Sequence, residues 1–374
     1  MADSNTKRKI LFLVDSLSET GAAQVLTTLV QYIDKTKFDV TVCAINGGGK
    51  YEAMIKEEAN YKVILTGSGF RNNLVNKWQS LSWVYKFYVP KDSDVEIAYT
   101  EGLATKLLSH SSNKKAKKIA WIHSDLTKNH WSKEFYKDLA EETKVYNQFD
   151  RIIGVSENIV SAFRSTLPQV NVPVETIYNP IDSLSIRVKS FAQADNVNQT
   201  KTFRLVTIGR LEPQKGYDRL LRVVNRLIGE NYDIELWILG DGADRGILQR
   251  YIKSNNLQDR IKLMGYHQNP YKYLTQGNLF VCSSLSEGYS TAVTEALILG
   301  LPIVTTDCSG MAELLKGGEC GLITRNNEDA LYEGIKKLLN DPELLEQYKQ
   351  KAETRGWDFD IEALMVPIEK LLAE

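Results

Sequence analysis

Four cysteines and four histidines in 374 residues leave little material for a disulfide framework or a metal site. Cys43, Cys282, Cys308 and Cys320 are widely spaced and form no C-x-x-C pair. Neither zinc binding nor covalent stapling is indicated, and a reducing compartment is expected. His110, His130 and His267 lack the mutual spacing of metal ligands and are expected to be structural. Charge of one sign is also missing. Lys and Arg number 46 against 47 Asp and Glu, a net of −1, so no nucleic-acid-binding face is expected. No apolar run approaches the roughly 18 residues that span a bilayer. The opening MADSNTKRKILFLVDSL has basic residues followed by a run of only five apolar ones before Asp15, which is short for a secretion signal and suits a first buried strand. A cytoplasmic protein, or one peripheral on the inner face of the plasma membrane, is expected. Low-complexity tracts and short repeats are absent too. With 43% hydrophobic and 25% charged residues, the composition excludes disordered and fibrous classes.

What is present is alternation. Apolar runs KILFLVDSL, AQVLTTLVQYI and FDVTVCAI open the chain, followed by KVIL, VEIAY, KIAWIH, RIIGV and VETIYN. Each is read as a strand candidate rich in Val and Ile, and helical spacings lie between them. Residues 183–202 include SFAQADNVNQT, polar and aperiodic, and are expected to be a linker. Alternation then restarts with FRLVTIG, a helix carrying Leu220, Leu221, Val224, Leu227 and Ile228, then IELWILG, IKLMG, LFVCS, PIVTT and GLIT. The pattern predicts two α/β domains with doubly wound parallel sheets, at 1–182 and 203–356. A final helix at 357–374 is expected to pack back toward the N-terminal domain.

Two stretches carry chemistry. In VTIGRLEPQKGYDRLLRV the strand ends at Gly209, Arg210 and Lys215 follow in a loop, and Gly216 opens a helix. An Arg fork and a Lys point charge at a strand's carboxyl end suit a diphosphate. In SLSEGYSTAVTEALILGLPIVTTD, Glu287 and Glu295 are separated by seven residues. Glu287 falls in a loop after LFVCS, and Glu295 in the next helix, with Ser290 or Thr291 as N-cap. The helix N-terminus would aim backbone N–H groups of Ser290, Thr291 and Ala292 at an anion. The two carboxylates would accept from hydroxyls on either side of it. The plain alternative is a surface helix with solvated glutamates. LGDG, between the two stretches, is not G-x-G-x-x-G and fails as a dinucleotide fingerprint.

GRLEPQKG, LGDG, EGYSTAVTEAL and GLPIVTTD occur here in the order and spacing of the family-four retaining glycosyltransferases, which the chain resembles. KILFLVDSLSETGAAQVLTTL, WIHSDL and IYNPID are similar to landmarks of that family's N-terminal half. The resemblance implies the GT-B fold, two Rossmann-like domains facing each other across a cleft. It implies that Arg210 and Lys215 bind the diphosphate and that Glu295 binds the ribose. Glu287 would contact the donor sugar, and Gly288, Tyr289, Ser290 and Thr291 would close on sugar and phosphate. His123 would lie near the transferred sugar, and Met264 near the base. Catalytic roles fall to His123, Glu287, Arg210 and Lys215, and donor contacts include Gly21 and Gly209. At Gly21–Ala22–Ala23, Ala22 departs from the usual second glycine. Transfer with retention, by front-face attack and without a metal, is what the resemblance implies. Asp92-Ser93-Asp94 precedes a strand and is expected to be a solvated turn, not a metal motif.

Residues 60–124 carry ten Lys or Arg and four acids, +6. A stripe of Leu74, Trp78, Leu81, Tyr85 and Tyr88 with flanking cations suits an anionic membrane interface, or a helix packed on the sheet. Lys114, Lys115, Lys117 and Lys118 add to that patch or form a solvated turn. The expected donor is a UDP-sugar, with GDP-mannose the alternative. The acceptor is a glycan, a lipid-linked species or a protein, in cell-surface polysaccharide or glycoconjugate synthesis. A nucleotide-sugar 2-epimerase or a non-catalytic partner subunit are the readings from other classes.

Overall fold

The computed structural model describes residues 7–18, 20–65, 81–195 and 201–374. The chain divides into two compact units, Met1–Ile181 with Ile361–Glu374, and Asp182–Asp360. The first holds a parallel sheet of β1 (Arg8–Val14), β2 (Phe38–Asn46), β3 (Asn60–Leu65), β4 (Val95–Ala98), β5 (Lys117–Ile122), β6 (Arg151–Gly154) and β7 (Val174–Thr176), in the order β3-β2-β1-β4-β5-β6-β7. The second holds β8 (Phe203–Ile208), β9 (Ile234–Leu239), β10 (Ile261–Gly265), β11 (Leu279–Cys282), β12 (Ile303–Thr306) and β13 (Leu322–Thr324), in the order β10-β9-β8-β11-β12-β13, also parallel. The inner strands β4, β9, β11 and β12 are buried along their whole length, which is why the sequence shows continuous apolar runs there in place of alternation. In the second unit Leu220, Leu221, Val224 and Leu227 of helix Tyr217–Gly229 meet Leu205, Leu236 and Ile238 of the sheet in one buried cluster.

In each sheet the strand order reverses direction once, between β1 and β4 and between β8 and β11. The crevice outside the carboxyl ends at such a point is where doubly wound sheets take ligands.

Three expectations need correction. AQVLTTLVQYI is helical, within Gly21–Tyr32, because Val25, Leu26, Leu29 and Val30 fall on one buried face. Residues 183–202 do not form a plain linker, since Ser183–Ser190 is a helix of the second unit. Asp182 caps it, Ile186 is buried, Arg187 stacks 3.9 Å from the Trp357 ring centroid, and Asn269 donates to the Lys189 carbonyl at 2.8 Å. Its polar sequence hid a fold secured by tertiary partners.

The aromatic stripe divides. Leu74, Trp78, Arg71 and Lys77 lie outside the described residues. In helix Leu81–Tyr88, Tyr85 is buried and donates to Glu96 at 2.5 Å, whereas Trp83, Phe87 and Tyr88 are 50%, 60% and 46% exposed. Trp83 packs on Phe87 and Tyr88 at centroid distances of 4.9 and 5.7 Å. Lys106 is buried against Glu141 at 2.7 Å, and Lys117 reaches Glu374 at 3.4 Å, so neither is a free surface cation.

Candidate functional site

The loops after β8 and β11, at the reversal point of the second sheet, are bonded to one another. Lys215 Nζ donates to Glu287 Oε1 at 2.6 Å, and Ser284 Oγ donates to the same oxygen at 2.6 Å. Gln214 Nε2 donates to the Ser286 carbonyl at 2.8 Å, and the Leu285 N–H donates to the Gln214 carbonyl at 2.7 Å. Burial opposes the charge on Lys215 and Arg210 adds repulsion, but Glu287 beside it prevails and raises its pKa. Arg210 pairs with Glu212 at 2.5 Å on the surface, a contact weak enough to exchange for an anion. Gly209 is closely packed: a Cβ there would stand 2.7 Å from the Tyr217 hydroxyl, so that buried ring would have to shift.

The helix Thr291–Ile298 begins at Ser290, whose hydroxyl accepts from the Val293 N–H at 3.4 Å. Its first turn therefore offers unsatisfied N–H groups beside the Glu287 loop. Gly288 and Tyr289 are half-buried in that loop. Glu295 is buried within the helix and accepts from Tyr271 Oη at 3.2 Å. Neither glutamate is solvated, which removes the plain surface-helix alternative. Met264 lies at the end of the edge strand β10, its carbonyl engaged by His267 Nε2 at 3.2 Å. Tyr271, Gln214, Ser283 and Ser284 escaped the sequence reading. For the serines, a position just past the carboxyl end of LFVCS was the available signal.

Gly21 and His123 belong to the first unit, both beyond carboxyl ends of its strands. Gly21 starts the helix Gly21–Tyr32 and faces open space, where a Cβ would meet nothing within 4 Å. The backbone N–H groups of His123 and Ser124 both donate to Glu101 Oε1 at 2.7 Å. Glu101 is buried, which raises its pKa against the pull of those donors. It follows VEIAY at the reversal between β1 and β4, and the sequence reading passed over it. The His123 ring lies 4.8 Å from Tyr99, and its Nε2 is shielded from solvent with no hydrogen-bond partner among the described residues. Burial pushes its pKa down to about 4, opposed by a hydrogen bond to the Tyr99 backbone. A histidine depressed from 6.5 to about 4 favours folding above pH 6.5 and loses that contribution as pH falls toward 4. A His123→Gln variant should therefore lose stability less steeply than the parent over that window. The difference approaches about 1.4 kcal/mol per pH unit and is checked by urea titration at each pH.

Residues 20–183 match the Glycosyltransferase Family 4 and residues 188–355 match the Glycosyl transferases group 1. The chain belongs to the family-four, group 1 glycosyltransferases. It is 35% identical over 188 residues, half of each chain, to the N-acetylgalactosamine-N,N'-diacetylbacillosaminyl-diphospho-undecaprenol 4-alpha-N-acetylgalactosaminyltransferase of Campylobacter jejuni. It is 28% identical over 364 residues to an uncharacterized glycosyltransferase of Methanocaldococcus jannaschii, covering 84% of this chain and 89% of that one. The structure of Anabaena HepE in complex with UDP superimposes with a TM-score of 0.79 at 20% identity, over 98% of this chain and 99% of HepE. HepE has also been solved with UDP-glucose, at a TM-score of 0.77. At that identity the likeness establishes the fold, which is GT-B. Among the described residues no helix is long and apolar enough to cross a membrane. Among them, too, no group of three His, Cys, Asp or Glu side chains is placed to hold a metal.

Proposed function

We propose that this glycosyltransferase moves a sugar, with retention of configuration and without a metal, from a UDP-sugar to a glycan, lipid-linked or protein acceptor. The observation that carries the donor site is the Lys215–Glu287 pair joining the two loops at the reversal of the second sheet. Lys215 keeps further N–H donors for phosphate oxygens after bonding Glu287. Arg210 and the N–H groups at Ser290 and Thr291 complete a set that stabilises charge on the departing diphosphate. Glu295 takes the ribose hydroxyls, and Glu287 a hydroxyl of the sugar. Glu287, its Oε1 held by Lys215 and Ser284, orients the sugar in this reading, and the transfer follows front-face attack. In that step the acceptor oxygen bonds to the anomeric carbon as the bond to the phosphate oxygen breaks. The acceptor's proton passes to that phosphate oxygen. His123, kept neutral at working pH, shapes the anomeric region.

UDP-sugars are favoured because HepE is described with UDP and UDP-glucose. A GDP-mannose-dependent mannosyltransferase is the alternative. UDP should raise the melting temperature by several degrees, more than GDP or ADP, since a ligand bound only by the native state stabilises it. Transfer should survive EDTA. A larger shift with GDP would move the assignment to GDP-mannose, and loss of activity restored by Mn²⁺ or Mg²⁺ would end the metal-free scheme.

A lipid-linked acceptor, of the kind in the name of the Campylobacter relative, would call for an enzyme that works peripherally on the inner face of the plasma membrane. Supporting this are the exposed rings of Trp83, Phe87 and Tyr88, with Lys86 5.7 Å from the Phe87 ring centroid. Such a patch gives reversible, salt-sensitive binding to anionic bilayers. The parent should co-sediment with anionic vesicles at low salt, and Trp83→Ala with Phe87→Ala should lower that binding about tenfold. No sedimentation under any condition would leave a glycan or protein acceptor.

A further inference from the structure

Arg219 sits in the first turn of helix Tyr217–Gly229 and is 6% exposed. No sequence motif singled it out. Its Nε donates to the Ser283 carbonyl at 2.8 Å, and its Nη2 donates to the carbonyls of Ser283 and Ser284 at 2.5 and 2.6 Å. Nη1 donates to Asn326 Oδ1 at 2.8 Å. With the Thr306 hydroxyl 3.4 Å from Nη2, the oxygens that answer the buried guanidinium are uncharged, an arrangement whose desolvation cost needs a reason. The two residues it grips are the ones whose hydroxyls hold the donor site. Ser283 Oγ donates to the Lys215 carbonyl at 2.8 Å, and Ser284 Oγ donates to Glu287 at 2.6 Å. From the other side, Asn326 Nδ2 donates to the Leu285 carbonyl at 2.9 Å.

We infer that Arg219 is a positioning residue: its fork fixes the turn at Ser283 and Ser284, and through it the Lys215–Glu287 pair, in the register that a nucleotide diphosphate engages. The inference rests on the donor-site reading above. A lysine at 219 keeps the charge and loses the fork, so charge and geometry can be separated.

The test uses the full chain. In Arg219→Lys without ligand, amide hydrogen exchange at residues 284–288 should quicken at least tenfold, while strands β9 and β12 stay within twofold. The dissociation constant for UDP should rise at least tenfold. In a Lys215→Ala, Glu287→Gln background the same change should alter UDP binding less than twofold, because its effect passes through that pair. Unchanged protection in R219K, unchanged UDP binding with a loosened turn, or a fully additive penalty in the double background would each overturn the inference. If R219K folds poorly, Asn326→Ala reads the same amides and should quicken them about threefold; unchanged exchange there would also overturn it. Parental UDP binding and transfer in K215A would instead remove the donor-site reading itself, whatever Arg219 does to the turn.

Discussion

Lys215→Ala is expected to lower transfer from the nucleotide sugar about 10²–10³-fold, the cost typical of losing one donor to a developing oxyanion in a water-poor site. Two losses combine. The departing diphosphate loses a charge-assisted contact, and Glu287 loses the cation that lies 2.6 Å away. Glu287 is buried, and Ser284 alone would then hold the oxygen that Lys215 had shared. An uncompensated carboxylate beside the diphosphate repels it. The double variant Lys215→Ala, Glu287→Gln should accordingly bind free UDP more tightly than Lys215→Ala alone, while regaining little turnover. Titration calorimetry and steady-state kinetics on the three proteins check both statements. Parental kinetics in K215A would sink the clamp, and equal UDP affinity in the single and double variants would sink the electrostatic account of Glu287.

The second large effect is expected at Gly216. Its φ of +61° places it in the left-handed region, and a Cβ there would stand 2.3 Å from the Ser283 carbonyl and 2.9 Å from Arg219 Nε. Neither neighbour yields cheaply, because that carbonyl is the one Arg219 grips. Gly216→Ala should cost the second unit on the order of 2–4 kcal/mol, conformational strain and overpacking together. At roughly 2–4 °C per kcal/mol the melting shift is easily read. Gly317 is the control. It has a similar φ of +69°, but a Cβ there meets nothing within 4 Å. Gly317→Ala should therefore show only the strain, about 1 kcal/mol. Equal shifts for the two variants would mean that the Ser283 contact carries no energy.

The parallel sheets were legible because a buried parallel strand is a local signal. KILFLVDSL, IELWILG and LFVCS each show it within a few residues, and the amphipathic spacing of Leu220, Leu221, Val224 and Leu227 marks a helix just as locally. The same locality explains the errors. AQVLTTLVQYI is apolar enough to suggest a strand until its buried face is seen to repeat at helical spacing. In helix Ser183–Ser190 only Ile186 is buried, and supports from distant residues such as 269 and 357 hold it.

By itself the sequence determined which side chains stand at the carboxyl ends of the strands, since spacing along the chain places Gly209, Arg210, Lys215, Glu287 and Glu295 in or just beyond particular loops. Tertiary structure alone decided how those side chains are spent. Lys215 pairs with a glutamate 72 residues away, Arg210 with Glu212, Glu295 with Tyr271, and the His123 backbone with Glu101. It also turned Tyr85 inward and Trp83 outward, and buried Lys106. Periodicity is a property of neighbours on the chain. A hydrogen bond or a buried charge depends on which strands lie side by side, and that order is fixed only when the sheet assembles.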